Sequence, residues 1–293
     1  MPDFDPVIDH IEQITRQTFL HPHIAVAGGG SINTCYKLQS DTISYFLKTN
    51  QAHRAAMFEA EALGLQELAS LASIRTPEVI CYGHTQQYSY IVMEYIELGP
   101  MTNKTNQLMG EQLAQLHRHQ QSYFGWSIDN TIGSTPQHND RSHDWLSFLQ
   151  KQRIGPQLEF IKQSGYSSQV YDKGCQLNEK LATFFSNYQP QPSLLHGDLW
   201  SGNAAADQVG NPIIFDPACY YGDREADIAM TELFGGFNQQ FYRAYNAEFP
   251  LDQGYKTRKT LYNLYHILNH VNLFGGSYLS QASHMIDQLL AET

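Results

Sequence analysis

The chain has 293 residues, 42% of them hydrophobic and only 16% charged, which is enough apolar material for a sizeable core and too much for a disordered chain. At ~100–200 residues per domain the length allows one large domain or two modest ones. Eighteen Lys and Arg against 29 Asp and Glu leave a net charge of −11, and no basic run is present, so nucleic acid and anionic membrane faces are excluded as partners in favour of cationic or neutral small molecules.

The acidic start, Met1-Pro2-Asp3-Phe4-Asp5, lacks the basic segment and apolar stretch of a secretory signal. No apolar run approaches the ~18 residues that span a bilayer. Cys35, Cys81, Cys175 and Cys219 lie far apart with no C-x-x-C, a pattern of reduced thiols rather than of a disulfide framework or zinc site. The expectation is a soluble, cytoplasmic protein.

In chain order, residues 5–19 carry Val7, Ile11, Ile14 and Thr18 at helical spacing. His23–Ala27, the turn Gly28-Gly29-Gly30-Ser31 and Ile32–Leu38 predict strand, tight turn, strand. Thr42–Lys48 predicts a third strand, residues 52–72 a helix, and 78–84 and 88–94 two further strands. After Glu97-Leu98-Gly99-Pro100 the pattern turns mainly helical, interrupted near 194–216 by short apolar runs around a loop. The fold class expected is α+β and two-lobed: residues 1–96 a small antiparallel sheet with one main helix, residues 97–293 a larger, mostly helical lobe.

The strongest chemical signal is Leu194-Leu195-His196-Gly197-Asp198-Leu199-Trp200-Ser201-Gly202-Asn203, followed by Pro212-Ile213-Ile214-Phe215-Asp216. Phosphoryl transfer needs a carboxylate to orient the attacking hydroxyl and take its proton, and hard oxygen ligands for a Mg²⁺ that bridges phosphates. The protein-kinase catalytic loop places Asp and Asn at this same spacing. His-Gly-Asp alone would pass for a polar turn; the full D-x4-N-x12-D set between apolar strands is far more specific. Asp198 is thus the expected proton acceptor, and Asn203 and Asp216 the expected metal ligands.

A kinase-like first lobe also needs a strand lysine held by a helix glutamate. Lys48 lies on the strand face opposite Tyr45 and Leu47. On the helix, Phe58, Ala62, Leu65, Leu68 and Ala69 form one stripe; Glu61 lies inside it and Glu59 opposite. A carboxylate on a buried face needs a cation, which pairs Glu61 with Lys48. Gly29, Gly30 and Ser31 can present backbone N–H groups to phosphate. The linker at Glu94-Tyr95-Ile96 is where an adenine could meet backbone groups. Asp227, opening an apolar helical run, is expected to cap it and to support the catalytic loop with His196. His266 and His270 have metal-ligand spacing but no acidic residue between them, and are expected to be ordinary helix-surface histidines; His21/His23 and His117/His119 are expected to be incidental.

These residues carry a resemblance. The chain resembles the fructosamine kinases (ketosamine-3-kinases), which share the fold of aminoglycoside phosphotransferases and choline kinases. The match spans nearly the whole chain, through Gly28–Asn33, Phe46-Leu47-Lys48, Met57–Glu61, Val92-Met93-Glu94, Phe124-Gly125-Trp126, Asp129-Asn130, Ile132-Gly133, Thr135-Pro136-Gln137, Asp144-Trp145, Leu194–Asn203, Phe215-Asp216-Pro217-Ala218 and Glu232–Phe237. The resemblance implies ATP- and Mg²⁺-dependent phosphorylation of the 3-hydroxyl of a free or protein-bound ketosamine, a step that promotes deglycation. It implies adenine contacts at Glu94, Tyr95 and Ile96 and a sugar-site role for Trp200. The chain departs from its relatives in carrying Arg141 where they usually have Trp, and Ser31 where some have Cys. Another small-molecule kinase of this fold (for an aminoglycoside, choline or other amino alcohol) and a nucleotide-binding pseudokinase are the alternatives; monomer and dimer are equally open.

Overall fold

The computed structural model describes residues 2–20, 22–28 and 32–293. Helix α1 (Asp5–Thr15) begins with Pro6 in its first turn, where the missing N–H costs nothing. It stops at Arg16, which turns left-handed, short of the expected residue 19. The five strands β1 (His23–Ala27), β2 (Thr34–Gln39), β3 (Ser44–Gln51), β4 (Val79–His84) and β5 (Tyr88–Glu94) form one antiparallel sheet in the order β1-β2-β3-β5-β4. Helix α2 (Ala55–Ser70) crosses between β3 and β4.

Alternation along β3 sends Tyr45 and Leu47 to one face, where they pack with Val7, Ile11 and Phe19 under α1. Phe46 and Lys48 point to the other face, towards α2, where Phe58, Ala62 and Leu65 pack on Ile91 and Met93. Burying an apolar side chain of this size contributes ~1.5–3 kcal/mol, so these contacts fix α2 on the sheet. Ala69, expected within the buried stripe, is exposed.

Beyond the linker, β6 (Leu98–Gly99) leaves the first sheet and pairs elsewhere. Helix α3 (Asn103–His117) is capped by Thr102, whose side chain accepts from the Thr105 N–H. A hairpin follows, β7 (Asn130–Ile132) with β8 (Thr135–Gln137), which periodicity did not reveal because each strand has only three residues. Next come α4 (Trp145–Phe148), continued by a π-helical turn, α5 (Gly155–Gln163) and α6 (Ser168–Glu179). Strand β9 (Ser193–Leu195) leads into the His-Gly-Asp loop, and β10 (Ala204–Asp207) and β11 (Pro212–Ile214) form the hairpin after it. Strand β10 also pairs with β6, and β12 (Tyr220–Gly222) returns beside β9. Helices α7 (Glu225–Leu233), α8 (Gln239–Glu248), α9 (Tyr255–Phe274) and α10 (Ser277–Ala291) complete the larger lobe around a core that includes Leu113, Leu195, Phe241, Leu264 and Ile267. Among the described residues no helix is long and apolar enough to cross a membrane.

Candidate active site

Between the sheet and the helical lobe lies a cleft of about 1050 Å³ lined by Lys48, Glu61, Asp198, Asn203 and Asp216, among others. Lys48 stands in the middle of β3, paired across the ladder with Cys35 and Ile91. Its Nζ lies 2.7 Å from Glu61 Oε1 and also donates to Asp216, 168 residues away. Lys48 and Glu61 are nearly closed to solvent, while Asp216 is 40% exposed towards the cleft. Burial alone would lower the Lys48 pKa; the two carboxylates overcome it and hold the ammonium firmly protonated. Burial raises Glu61, against the pull of Lys48. Asp216 is also pushed up by burial, but Lys48 wins and holds it below the ordinary carboxylate range.

Two short ribbons frame the reactive loop: β9 with β12 before it, β10 with β11 after it. Gly197 has φ +82°, and a Cβ there would collide with the Ala218 carbonyl, so this position requires glycine. Asp216 itself adopts φ +61°, a conformation that costs an L-residue energy and recurs at functional positions. Here the turn brings its carboxylate to Lys48. His196 connects the two segments: its Nε2 donates to the Phe215 carbonyl at 3.0 Å, and its Nδ1 accepts from the Asp198 N–H at 3.3 Å. Burial lowers the His196 pKa, in keeping with the neutral ring that this donor–acceptor pattern requires.

Beneath the loop, Asp227 accepts from the backbone N–H groups of His196 (2.7 Å) and Gly197 (2.9 Å). Its burial would raise its pKa, but His117 first, then His196 and the Gly197 N–H, overcome that and lower it. Asp227 lies inside α7 rather than capping it; the helix begins at Glu225, with no side-chain cap at Arg224. The cap expected of Asp227 is not formed, and its carboxylate bonds the loop backbone. His117, expected to be incidental, is buried, with Nε2 3.2 Å from Asp227 Oδ2 and Nδ1 2.8 Å from the Tyr245 hydroxyl.

Asp198 sits at the floor of the cleft. Asn203 Nδ2 donates to its carbonyl at 2.9 Å and to Oδ2 at 3.3 Å, so the atom left for a cation is the Asn203 amide oxygen. Burial, and then repulsion from Asp216, raises Asp198 to about 7. The site thus sets three carboxyls against one ammonium. Its donor set is an amide oxygen and a carboxylate, the hard ligands that suit Mg²⁺ shared with phosphates, and the residues present fit that ion.

At the linker, β5 ends at Glu94, whose side chain turns to Arg75 Nη2 at 2.6 Å. Arg75 Nη1 also bonds Asp207 of β10 at 2.9 Å, spanning the two lobes. Tyr95 and Ile96 run free of the ladder, beside cleft walls made by Phe46, Met93, Leu98 and Ile213. Also on the cleft wall, Trp200 and Phe234 meet edge to face, ring centres 6.1 Å apart, and His270 lies 5.1 Å from Phe234. Trp200 is 37% exposed and Phe234 39%, so aromatic faces are open beside the floor of the cleft.

The family model described as fructosamine kinase matches residues 4–292. The chain belongs to the fructosamine kinase family. It is 45% identical over 285 residues to a Synechocystis protein named "Probable ketoamine kinase", covering 97% of this chain and 96% of that one. The chloroplastic protein-ribulosamine 3-kinase of Arabidopsis thaliana is 44% identical over 270 residues, 91% of this chain and 82% of that protein. A crystal structure described as a candidate fructosamine-3-kinase from Haemophilus somnus superposes with a TM-score of 0.89 at 31% identity, covering 97% and 96% of the two chains. An aminoglycoside phosphotransferase in ternary complex with AMP-PNP and hygromycin B shares the fold, with a TM-score of 0.65 at 16% identity and 98% coverage of both chains. The family fold is therefore the two-lobed, protein-kinase-like α+β architecture.

The structure brings Lys48, Glu61, Glu94, Tyr95, Ile96, Asp198, Trp200, Asn203 and Asp216 to the one cleft. Gly29, Gly30 and Ser31 lie outside the described residues, as does His21. His266 is buried rather than a surface residue, and His270 is half-buried on the cleft wall. The run Leu264-Tyr265-His266-Ile267-Leu268 is closed to solvent along its length, a helix buried all round that a surface reading missed. Arg141 stacks over the Tyr123 ring at 4.4 Å and does not line the cleft. Phe234, Arg75 and the second partner of Lys48 were not singled out from the sequence. Only the Glu232–Phe237 stretch gave a signal for Phe234.

Proposed function

We propose that this protein is an ATP-dependent kinase that phosphorylates the 3-hydroxyl of ketosamines, free or attached to protein lysines. The observation that carries the reading is the meeting of Lys48, Glu61 and Asp216 in one cleft with Asp198 and Asn203. The names of the relatives support the acceptor class.

In this reading residues 1–96 form the nucleotide-binding lobe and 97–293 the acceptor lobe. Glu94, Tyr95 and Ile96 border the adenine, with the Glu94 side chain drawn aside by Arg75. Lys48 has three N–H donors; Glu61 and Asp216 occupy two, and the third remains for a phosphate oxygen. Asn203 and Asp216 would hold Mg²⁺, which when bound neutralises phosphate charge. Asp198, held by Asn203 and by the loop that Asp227 and His196 support, orients the acceptor hydroxyl. It accepts the hydroxyl proton as the bond from O3 to the γ-phosphorus forms and the bond from that phosphorus to the bridging oxygen breaks, releasing ADP. Positioning and charge stabilisation supply most of the acceleration, since the transition state is loose. The secondary ammonium of a ketosamine suits the acidic floor and the faces of Trp200 and Phe234.

A coupled assay of ADP release with ribulosyl-lysine, fructosyl-lysine, kanamycin and choline tests the assignment. Turnover of the two ketosamines is expected. Turnover of kanamycin or choline alone would replace the ketosamine reading, and tight ATP binding with no acceptor turned over would make the protein a pseudokinase.

A further inference from the structure

Helix α2 is apolar on two sides. Phe58, Ala62 and Leu65 meet the sheet, while Ala60 and Leu68 join the core of the larger lobe with Ala218 and Cys219. Gly64 permits the close approach: a Cβ there would lie 3.2 Å from Cys219 Sγ and 3.3 Å from Pro217 Cγ. Glu67 places a carboxylate at this apolar surface. Glu67 Oε1 accepts from the Tyr221 hydroxyl at 2.7 Å, and Oε2 accepts from Trp126 Nε1. Both donors are buried, Tyr221 at 1% exposure and Trp126 at 4%.

Their location gives the contact its meaning. Tyr221 belongs to β12, which pairs with β9, the strand running into His196 and Asp198. Its backbone also exchanges two hydrogen bonds with Gly125, next to Trp126. Glu67 therefore grips the frame of the catalytic loop. Six residues earlier on the same helix, ~9 Å along its axis, Glu61 grips Lys48. Apolar packing against Ala218 and Cys219 holds α2 close but tolerates small rotation and sliding. Two directed bonds to one carboxylate resist this, because displacement leaves a buried donor, Tyr221 or Trp126, unpaired.

We propose that Glu67 is a positioning residue: by holding Tyr221 and Trp126 it fixes α2 against the catalytic frame and so sets the Lys48–Glu61 pair over Asp216. The proposal rests on the ATP-dependent reaction given above. It makes the alignment of Lys48 a property of the fold rather than a consequence of nucleotide binding.

The test is a double-mutant cycle on the full chain, read in kcat/KM for ATP with a ketosamine acceptor and in Kd for a non-hydrolysable ATP analogue. Glu67→Ala is expected to cost at least tenfold in kcat/KM and at least threefold in Kd. Glu67→Gln, which keeps one acceptor oxygen for two donors, is expected to fall between. On a Glu61→Ala background, where α2 no longer holds Lys48, Glu67→Ala is expected to cost less than threefold in either quantity, although it still lowers Tm. A purely structural Glu67 predicts a lower Tm with kcat/KM and Kd changed by less than threefold, or the same factor on both backgrounds; either outcome overturns the proposal. If Glu67→Ala does not fold, Tyr221→Phe runs through the same cycle with threefold as the dividing line. If the wild-type protein phosphorylates no ketosamine, the assigned reaction fails while the Kd cycle still decides whether Glu67 sets Lys48.

Discussion

Replacing Lys48 by Met removes the ammonium that stands between the Glu61 and Asp216 carboxylates. Glu61 has a side chain only 8% exposed, so it is left as an unpaired buried charge, whereas Asp216 at 40% can turn to water in the cleft. Removing one partner of a buried ion pair costs about 3–5 kcal/mol. With ~2.1 cal/mol/K of unfolding entropy per residue, a chain of 293 residues converts that into a fall in Tm of roughly 5–8 °C at pH 8. The pH dependence has a definite sign. Burial already raises Glu61 to about 7 in the presence of Lys48, and without the ammonium its folded pKa can only rise further. The native variant then binds a proton that the unfolded chain has released, so the deficit is small at or below the unfolded value of ~4.3 and grows as pH rises through the folded value. Thermal melts of Lys48→Met, Glu61→Gln and the double variant across that range provide the assay. The double variant should recover most of the lost Tm without recovering activity. A Lys48→Met protein that melts within about 1 °C of wild type at pH 8 would show that Glu61 does not depend on Lys48, and the electrostatic account of the cleft would fall.

Asp198 is raised to about 7 by burial and by Asp216, and in the proposed mechanism only its deprotonated form accepts the hydroxyl proton. Consequently kcat/KM should climb through neutrality, Asp198→Asn should lose about 10²–10⁴-fold in rate, and a carboxyl ¹³C titration of the nucleotide-free protein should place Asp198 near 7; a midpoint near the ordinary 3.8 would contradict it. Asp227→Asn withdraws an acceptor from two buried backbone N–H groups and should destabilise the protein by about 1–3 kcal/mol in urea at pH 7. Because the Asp227 pKa is depressed on folding, its contribution is present above the unfolded value and fades as pH falls towards the folded one, so variant and wild type should converge in acid; a cost below about 0.5 kcal/mol at pH 7 would remove Asp227 as the support of the loop.

Local pattern made much of this site readable. Alternation in β3 placed Lys48 opposite Tyr45 and Leu47, and helical spacing placed Glu61 on the buried face of α2. Their meeting could be inferred because a carboxylate on such a face requires a cation. The same logic was available for His117, which follows Leu113, Ala114 and Leu116 on the buried side of α3. Its partner, Asp227, is 110 residues away, and nothing in the sequence links the two. The apparent cap at Asp227 misled for a related reason: a carboxylate near a helix start fits both a local cap and a distant backbone, and only the fold decides. Short pairings such as β6 with β10, and the grip of Glu67 on Trp126 and Tyr221, depend on tertiary approach alone. Charge and composition narrowed the acceptor to small cationic or neutral molecules, but the pairing of Trp200 with Phe234 on the cleft wall appears only in three dimensions.

The most direct measurement is ³¹P NMR, with proton–phosphorus correlation, of the product formed from ATP, Mg²⁺ and ribulosyl-lysine or fructosyl-lysine. A phosphomonoester coupled to the proton on C3 of the sugar is expected, formed by the wild-type protein and not by Asp198→Asn. Phosphate appearing at another carbon, or only as free inorganic phosphate from ATP with the sugar unmodified, would contradict it.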